Sequence, residues 1–194
     1  MQDARPAAGE ATGVREMKTR VLLGFLLVVL AAPLHAQPVG TTIAVEMPAE
    51  NMQLVIERGG FDAALGRPAP EGNAPGLAYG RPDGSADLWI AMRPAVEGQA
   101  IATVRQERWN EIDAGPLGRT EVRRWEEGQV ALLEYFEDAA AGRGRDKHVH
   151  AFIPRGETVV EVHAVARDFE PDGSGQEMLA RIFGSMRILP RSPG

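Results

Sequence analysis

The residues best suited to chemistry lie close together in the second half of the chain. Three of its four histidines, His148, His150 and His163, fall within sixteen positions of the stretch HVHAFIPRGETVVEVHAVA, and Glu161 lies among them. Three imidazoles and one carboxylate are ligand types that suit Zn²⁺ or Cu²⁺. Two alternating segments flank PRGE, so the stretch predicts a β-hairpin, on which these side chains can meet.

The register of this hairpin decides which side chains oppose each other. We expect Ile153 to pair with Thr158 across the PRGE turn. This pairing places the four candidate metal ligands on one face of the hairpin. His150 then lies opposite Glu161, and His148 lies opposite His163. A different turn would slide one strand along the other and separate these pairs.

A second interpretation of the same face needs no metal. The opposite face carries a core set, namely Val149, Ala151, Ile153, Val160, Val162 and Ala164. Sheets with one buried face often carry polar side chains on the other. The histidine face is then a polar, partly solvated sheet surface bordered by Phe152 and Val159, and this interpretation is the more ordinary one.

Other candidate sites are weaker. Asp168, Asp172, Gly173 and Ser174 lie in DFEPDGSG, but a calcium loop needs denser oxygen ligands at alternate positions, so a turn that leads into a helix is expected. No serine lies in a G-x-S-x-G elbow, and GRGRDK lacks the features of a phosphate-binding loop. The carboxylate pairs of EYFED and RRWEE lie at strand ends and turns, where solvated charges are common. No catalytic residue is therefore predicted.

The N-terminal region predicts export from the cytoplasm. Residues 17–36 combine a basic start, the apolar run VLLGFLLVVL and a small residue at Ala36, a pattern typical of a signal peptide with cleavage near Ala36. Residues 1–16 are interpreted as an upstream extension without regular structure. Residues 37–194 are expected to form one domain, periplasmic or secreted, that is soluble after cleavage and meets the membrane only through an uncleaved signal peptide.

Composition narrows the classes of partner. The first 36 residues carry four of the 21 basic residues and three of the 27 acidic ones, so residues 37–194 have a formal charge of −7. This acidity argues against binding to nucleic acid. The chain has no cysteine, which excludes thiolate metal sites, thiol catalysis and a lipid anchor on cysteine.

Periodicity predicts the elements of an α+β protein. Ser174 and Glu177 fit a capping box at the start of a helix expected at Gly175–Phe183, and Gly184 is a natural stop for this helix. Trp89, Trp109 and Trp125 could line a ligand groove, although core packing is the more frequent use of tryptophan. We expect strands at Thr42–Met47, Gln53–Glu57, Leu77–Gly80 and Asp87–Arg93, a helix at Gln99–Ile112, a hairpin of GRTEVRRW and QVALLEYFED, a helix at Gly175–Phe183 and a short strand at SMRIL.

This order of elements resembles the PsbP/Mog1-like fold, including the bacterial DcrB and DUF1795 group. The segments GQVALLEYF, TVVEVHAVA and LARIFGSMRIL carry the resemblance. It implies an antiparallel β-sheet flanked by helices, an α/β/α sandwich, and accessory roles rather than a shared active site.

The functional prediction is a periplasmic or secreted accessory or binding protein, not an enzyme, acting through an unidentified protein or small-ligand partner. One alternative is an immunity protein, an acidic inhibitor of a secreted toxin. Another is a metal-binding protein or a cell-wall hydrolase. No cofactor is expected, apart from Zn²⁺ or Cu²⁺ if the histidine face binds metal.

Overall fold

The described residues form two β-sheets, and the first consists of the N-terminal strands and the last strand. A computed structural model describes residues 36–47, 51–66, 76–138 and 144–191. Each pair of neighbouring strands in this sheet is antiparallel. Its strand order is β1 (Ala36–Val39), β2 (Thr42–Met47), β3 (Met52–Glu57) and β10 (Arg187–Pro190).

The second sheet has six strands and is also antiparallel throughout. Alternating apolar residues that are buried on one or both faces build its central strands. The order across it is β4 (Gly76–Gly80), β5 (Ala86–Pro94), β9 (Thr158–Ala166), β8 (Arg145–Arg155), β7 (Val130–Asp138) and β6 (Arg119–Glu127).

Two α-helices cover opposite faces of this six-stranded sheet. Helix α1, Ile101–Asp113, joins β5 to β6 and packs on β7 and β8. Helix α2, Ser174–Ser185, joins β9 to β10 and packs against β9 and β3. None of the helices in the described part of the chain is long and apolar enough to cross a membrane.

The six-stranded sheet therefore has a hydrophobic core on each face. The larger core lies between this sheet, the four-stranded sheet and α2. The smaller core lies under α1 and includes Trp109, Tyr135 and Phe152. Strand β7 contributes Leu132 to the first core and Leu133 to the second, so this strand is covered on both sides. The predicted α+β class is confirmed, with the strands divided between two sheets.

Turn chemistry explains the β4–β5 connection. Gly84 takes a φ of 69°, in the left-handed region that glycine enters without steric cost. Beside it, the Asp83 carboxylate accepts hydrogen bonds from the amide and the hydroxyl of Ser85, at 3.0 and 2.6 Å. The segment FDAAL contains a 3-10 turn at Ala63–Leu65.

Two predictions about α2 are wrong. Gly173 occupies the N-cap, and no side chain caps the helix there. Ser174 is already the first helical residue, so the expected capping box does not form. The helix also continues through Gly184 to Ser185, because the chain reaches β10 from an extended residue, Met186, and does not need the left-handed glycine turn. The short strand predicted at SMRIL is confirmed as β10.

The predicted extension and signal peptide lie outside the described residues, apart from Ala36, which begins β1.

Candidate functional site

The β8–β9 hairpin brings the predicted cluster together, but in a different register. Arg155 pairs with Thr158, so His150 faces His163, and the expected Ile153–Thr158 pairing is wrong. The turn is shorter than expected, since only two residues connect the paired strands. Gly156 makes this tight turn possible because it takes a φ of 50°, in the left-handed region.

The difference in register amounts to two residues, and a shift of two keeps every side chain on its original face. His148, His150, His163 and Glu161 therefore share one face, as predicted. Their opposing partners differ from those expected: His148 faces Val165, and Glu161 faces Phe152.

The face that these four side chains share is buried, which corrects the expectation of a partly solvated surface. The exposed fractions are 0% for His150, 3% for Glu161, 4% for His163 and 8% for His148. Helix α1 lies over this side of the sheet, and its Trp109 belongs to the smaller core on the same side. The sequence of the hairpin alone contains no signal for this cover.

A chain of close polar contacts runs through the buried cluster. The Nδ1 atom of His150 lies 2.9 Å from Glu161 Oε1, and its Nε2 lies 3.5 Å from the Tyr135 hydroxyl. That hydroxyl lies 3.2 Å from His148 Nδ1, which in turn lies 3.1 Å from His163 Nε2. The order is thus Glu161, His150, Tyr135, His148, His163.

Two arginines neutralise the carboxylate at the start of this chain. Arg93 Nε donates to Glu161 at 2.7 Å, and Arg108 Nε donates at 3.1 Å. Glu111 at the end of α1 joins the group through Arg108 Nη1 at 2.9 Å. Burial raises the pKa of Glu161, but the hydrogen bond from His150 and the charges of the two arginines outweigh burial and bring its pKa to about 2.

Burial has the opposite consequence for the imidazoles. It disfavours the charged form and lowers the pKa of His148 to about 3. Burial also lowers the pKa values of His150 and His163, although the Glu161 carboxylate partly offsets this effect at His150. All three histidines are therefore neutral near pH 7.

The imidazoles are arranged for stacking and hydrogen bonding rather than for convergence on one point. The rings of His150 and His163 are nearly parallel, at 11°, with centroids 3.8 Å apart. Stacked rings point their nitrogen lone pairs along separate lines, whereas a tetrahedral metal needs ligand atoms directed at one centre. Within the described ranges, no group of three or more His, Cys, Asp or Glu is placed to hold a metal ion.

Metal binding at His148, His150, His163 and Glu161 stays a prediction that requires these side chains to turn. Calorimetry with Zn²⁺ and Cu²⁺ tests it, with His148→Ala and His163→Ala as controls. Equal heats from these variants and the unmodified protein would assign any binding to another site.

Sequence reasoning missed the partners that complete the cluster. Arg93 comes from β5, Arg108 from α1 and Tyr135 from β7, so only the sheet order and the placement of α1 bring them to the hairpin. Arg108 could have indicated the cluster from the sequence, because it falls within the otherwise apolar stripe of α1. A buried arginine requires a carboxylate partner, and Glu161 supplies a buried one to Arg108.

A second feature is an open groove on the opposite face of the six-stranded sheet. It lies between α2, strands β6 to β8 and the neighbouring parts of β3 and β10, and has a volume of about 650 Å³. We call it the α2 groove. Its apolar lining consists of Leu54, Trp125, Val130, Leu132, Val149, Ile153, Leu179, Ala180, Phe183, Met186 and Ile188.

The three tryptophans divide between the two structural roles considered for them. The Trp89 ring lies 4.9 Å from that of His163, tilted by 31°, and Trp109 meets Tyr135 edge-on at 5.6 Å, so both serve packing. Trp125 is 38% exposed and lines the α2 groove.

The loop DFEPDGSG also has a structural role. Asp168 has a φ of 44°, and its amide donates to Asp146 Oδ1 at 3.1 Å. Arg167 bridges Asp146 and Asp87, at 2.9 and 2.6 Å, which ties the end of β9 to β8 and β5. Gly173 and Ser174 begin α2, as described above.

The fold and both features define an α+β protein with a buried polar cluster on one face of a sheet and an open groove on the other. No protein-family model matches the chain, and no curated protein matches it. The chain is similar in structure to the Ran-binding protein Mog1p of Saccharomyces cerevisiae, with 13% sequence identity, coverage of 80% of this chain and 96% of that chain, and a TM-score of 0.44.

It is also similar to the cyanobacterial PsbP protein, CyanoP, of Synechocystis sp. PCC 6803. The sequence identity is 8%, the coverage is 81% of this chain and 98% of that chain, and the TM-score is 0.49. Both proteins bear names of the fold family that the sequence resembles. At TM-scores below 0.5, no role or partner of either is transferred to this chain, and membership of the DcrB and DUF1795 group stays a prediction.

Proposed function

We propose that this chain is a non-catalytic binding protein of the periplasm or extracellular space, which holds the apolar part of a ligand in the α2 groove. The observation that carries the proposal is the groove itself. Its volume of about 650 Å³ falls within the range of about 300–1,000 Å³ that is usual for small-molecule sites. The compartment rests on the predicted signal peptide.

The apolar lining of the groove supports binding because much of it is only partly covered by protein. Val130, Phe183, Met186 and Ile188 pack against the larger core but stay partly exposed. When a ligand covers apolar groups in a concave surface, binding is favoured by about 25 cal/mol for each Å² of apolar area removed from water. A cluster of this kind is a common mark of a binding site.

The walls of the groove are held in place before any ligand arrives. Strands β7 and β8 lie in the interior of the sheet, and α2 is fixed by Leu179 and Ile182, which are buried in the larger core. A preformed site loses little conformational entropy on binding, so a modest apolar contact can suffice for measurable affinity.

The ionisable groups support a binding role rather than catalysis. The arrangement closest to a nucleophile with its base is Tyr135, His150 and Glu161, but the tyrosine is only 3% exposed. Burial also raises the pKa of its hydroxyl, which therefore stays protonated and out of reach of a substrate. In the groove, Glu134 and Lys147 neutralise each other at 3.0 Å.

The test is saturable binding of an uncharged, environment-sensitive apolar dye such as Nile red. We expect a single site, and we expect Ala180→Trp to abolish binding by filling the groove from α2. Arg181→Trp is the matched control, because it adds the same side chain at the next position of the helix, on a residue that does not line the groove. No saturable binding, or equal binding by Ala180→Trp, would overturn the proposal.

A further inference from the structure

The two ends of the α2 groove differ in how their charges are satisfied. At the inner end, Lys147 Nζ lies 3.0 Å from Glu134 Oε2 and donates to Gln176 Oε1 at 3.1 Å. The same ammonium group lies 4.8 Å from the centre of the Phe169 ring. These contacts occupy the ammonium group, so the inner end has no charge left for a ligand.

The outer end, beside Trp125, carries two guanidinium groups. Arg155 and Arg187 both line the groove and donate to main-chain carbonyl oxygens of nearby residues. Within β8 the chain runs from Lys147 to Arg155, and in α2 it runs from Gln176, beside Lys147, towards Arg187, so both arginines lie away from the inner end. Arg155 Nη1 also lies 3.5 Å from Gln129 Oε1. In the described part of the chain, neither guanidinium has a carboxylate partner. Glu127 lines the same end, so the three side chains carry a formal charge of +1.

Between these ends the lining is apolar over a length that suits an alkyl chain. On β7 the groove extends from Val130 through Leu132 to Glu134, a separation of four residues or about 13 Å. Along β8 it extends over Val149 and Ile153. The space is thus elongated, apolar along its length and positively charged at one end.

The nature of the walls favours an alkyl chain over a peptide. The main-chain groups of β7 and β8 are paired within the sheet, and those in the body of α2 are paired within the helix. A peptide in the groove would bury its own N–H and C=O groups against apolar side chains, where they would lack hydrogen-bond partners. An alkyl chain has no such groups.

We propose that the ligand of the α2 groove is a single-chain amphiphile with a carboxylate head, a long-chain fatty acid in chemical class. Its tail lies along β7 and β8, and its head contacts Arg155 and Arg187 at the outer end. Guanidinium groups bind carboxylates through two parallel, charge-assisted hydrogen bonds, so two arginines can hold the head without a metal. This inference rests on the proposed function of the groove.

The experiment compares dodecanoate with dodecanol, which has the same tail and no charge, by calorimetry below their aggregation concentrations. We expect dodecanoate to bind about tenfold more tightly or better, because charge-assisted hydrogen bonds to a carboxylate are stronger than those that a neutral hydroxyl can form. In the double variant Arg155→Gln, Arg187→Gln, the two ligands should bind with similar affinity, with the affinity for dodecanol unchanged.

The double variant Arg123→Gln, Arg181→Gln is the matched control. It removes the same net charge from two positions that do not line the groove, and it should keep the preference for dodecanoate. Equal binding of the two ligands by the unmodified protein would refute the carboxylate assignment and leave the proposed function intact. Loss of the preference in the control would refute it as well, whereas failure of both ligands to bind would refute the proposed function itself.

Discussion

His148 Nδ1 and His163 Nε2 lie 3.1 Å apart, although the two residues do not oppose each other in the β8–β9 ladder. One imidazole must donate to the other. If His148 donates through Nδ1, the single proton of neutral His163 is on Nδ1; if His163 donates through Nε2, the proton of His148 is on Nε2. Both of these remaining atoms are buried, without a partner in the described part of the chain. One buried N–H therefore has no protein acceptor in either arrangement.

This relationship predicts that His163 contributes little net stability. In His163→Phe, His148 can keep its proton on Nδ1 and donate to Tyr135, which removes the unsatisfied N–H and keeps ring stacking. We expect the free energy of unfolding in urea at pH 7.5 to change by less than about 1 kcal/mol.

His150→Phe is the matched comparison, because it makes the same substitution in the same cluster. His150 donates to the Glu161 carboxylate, so its loss should cost about 2 kcal/mol or more. Equal losses in the two variants would mean that the His148–His163 contact is as valuable as the bond to the carboxylate.

Glu161 is predicted to be the residue of the cluster that is most sensitive to loss of charge. Glu161→Gln leaves Arg108, which is 6% exposed, without its buried counter-charge. Breaking one side of a buried ion pair is expected to reduce the free energy of unfolding by about 3–5 kcal/mol. Denaturant unfolding at neutral pH measures this loss.

Glu111→Gln provides the control for that substitution. Glu111 also contacts Arg108, at 2.9 Å, but its side chain is 50% exposed. We expect a loss below about 1 kcal/mol, as for other solvent-exposed ion pairs. A similar loss in both variants would contradict a special role for the buried carboxylate.

The buried histidines predict that stability decreases as the pH falls below about 6.5. Their folded-state pKa values lie below the ordinary value of 6.5, so the unfolded chain binds protons first. Each histidine should then reduce the free energy of unfolding by about 1.4 kcal/mol per pH unit. For His148 this continues to about pH 3, and Glu161, with a pKa of about 2, adds a further loss below about pH 4.5.

Urea unfolding at a series of pH values from 8 to 4 measures this dependence. His163→Phe should reduce the slope below about pH 6.5, because it removes one group that the unfolded chain protonates before the folded protein does. An unchanged slope in this variant would show that His163 is not buried and neutral in the folded protein.

A glycine in α2 predicts a stabilising substitution. Gly184 is helical, and a Cβ atom at this position would meet no other atom within 4 Å. Gly184→Ala should raise the free energy of unfolding by about 0.5–1 kcal/mol, because alanine loses less backbone entropy in a helix. A thermal unfolding experiment would detect the gain as a higher Tm.

Gly80→Ala should have the opposite effect. A Cβ atom at Gly80 would collide with the main-chain carbonyl oxygen of Leu65, and a main-chain atom cannot move away as a side chain can. We expect a loss of more than about 1 kcal/mol. A neutral result would mean that the 3-10 turn at Ala63–Leu65 adapts easily.

The alternation of the hairpin was sufficient to place His148, His150, His163 and Glu161 on one face, because side chains in a strand alternate with a period of two. That conclusion is unaffected by the two-residue difference in register. The same kind of periodicity predicted the helix at Gln99–Ile112, which the structure shows as α1. These features depend on local backbone geometry, which neighbouring residues in the chain determine.

Burial of the histidine face depended on contacts between distant segments. Helix α1 covers it, and Arg93 and Arg108 reach Glu161 from positions 68 and 53 residues away in the chain. The turn at Gly156 set the actual pairs of opposing residues. The α2 groove likewise combines Leu54, Leu132, Phe183 and Ile188, which belong to four separate elements. Periodicity within one segment states which face is apolar or polar, but it carries no information on which other segment will cover that face or leave it open.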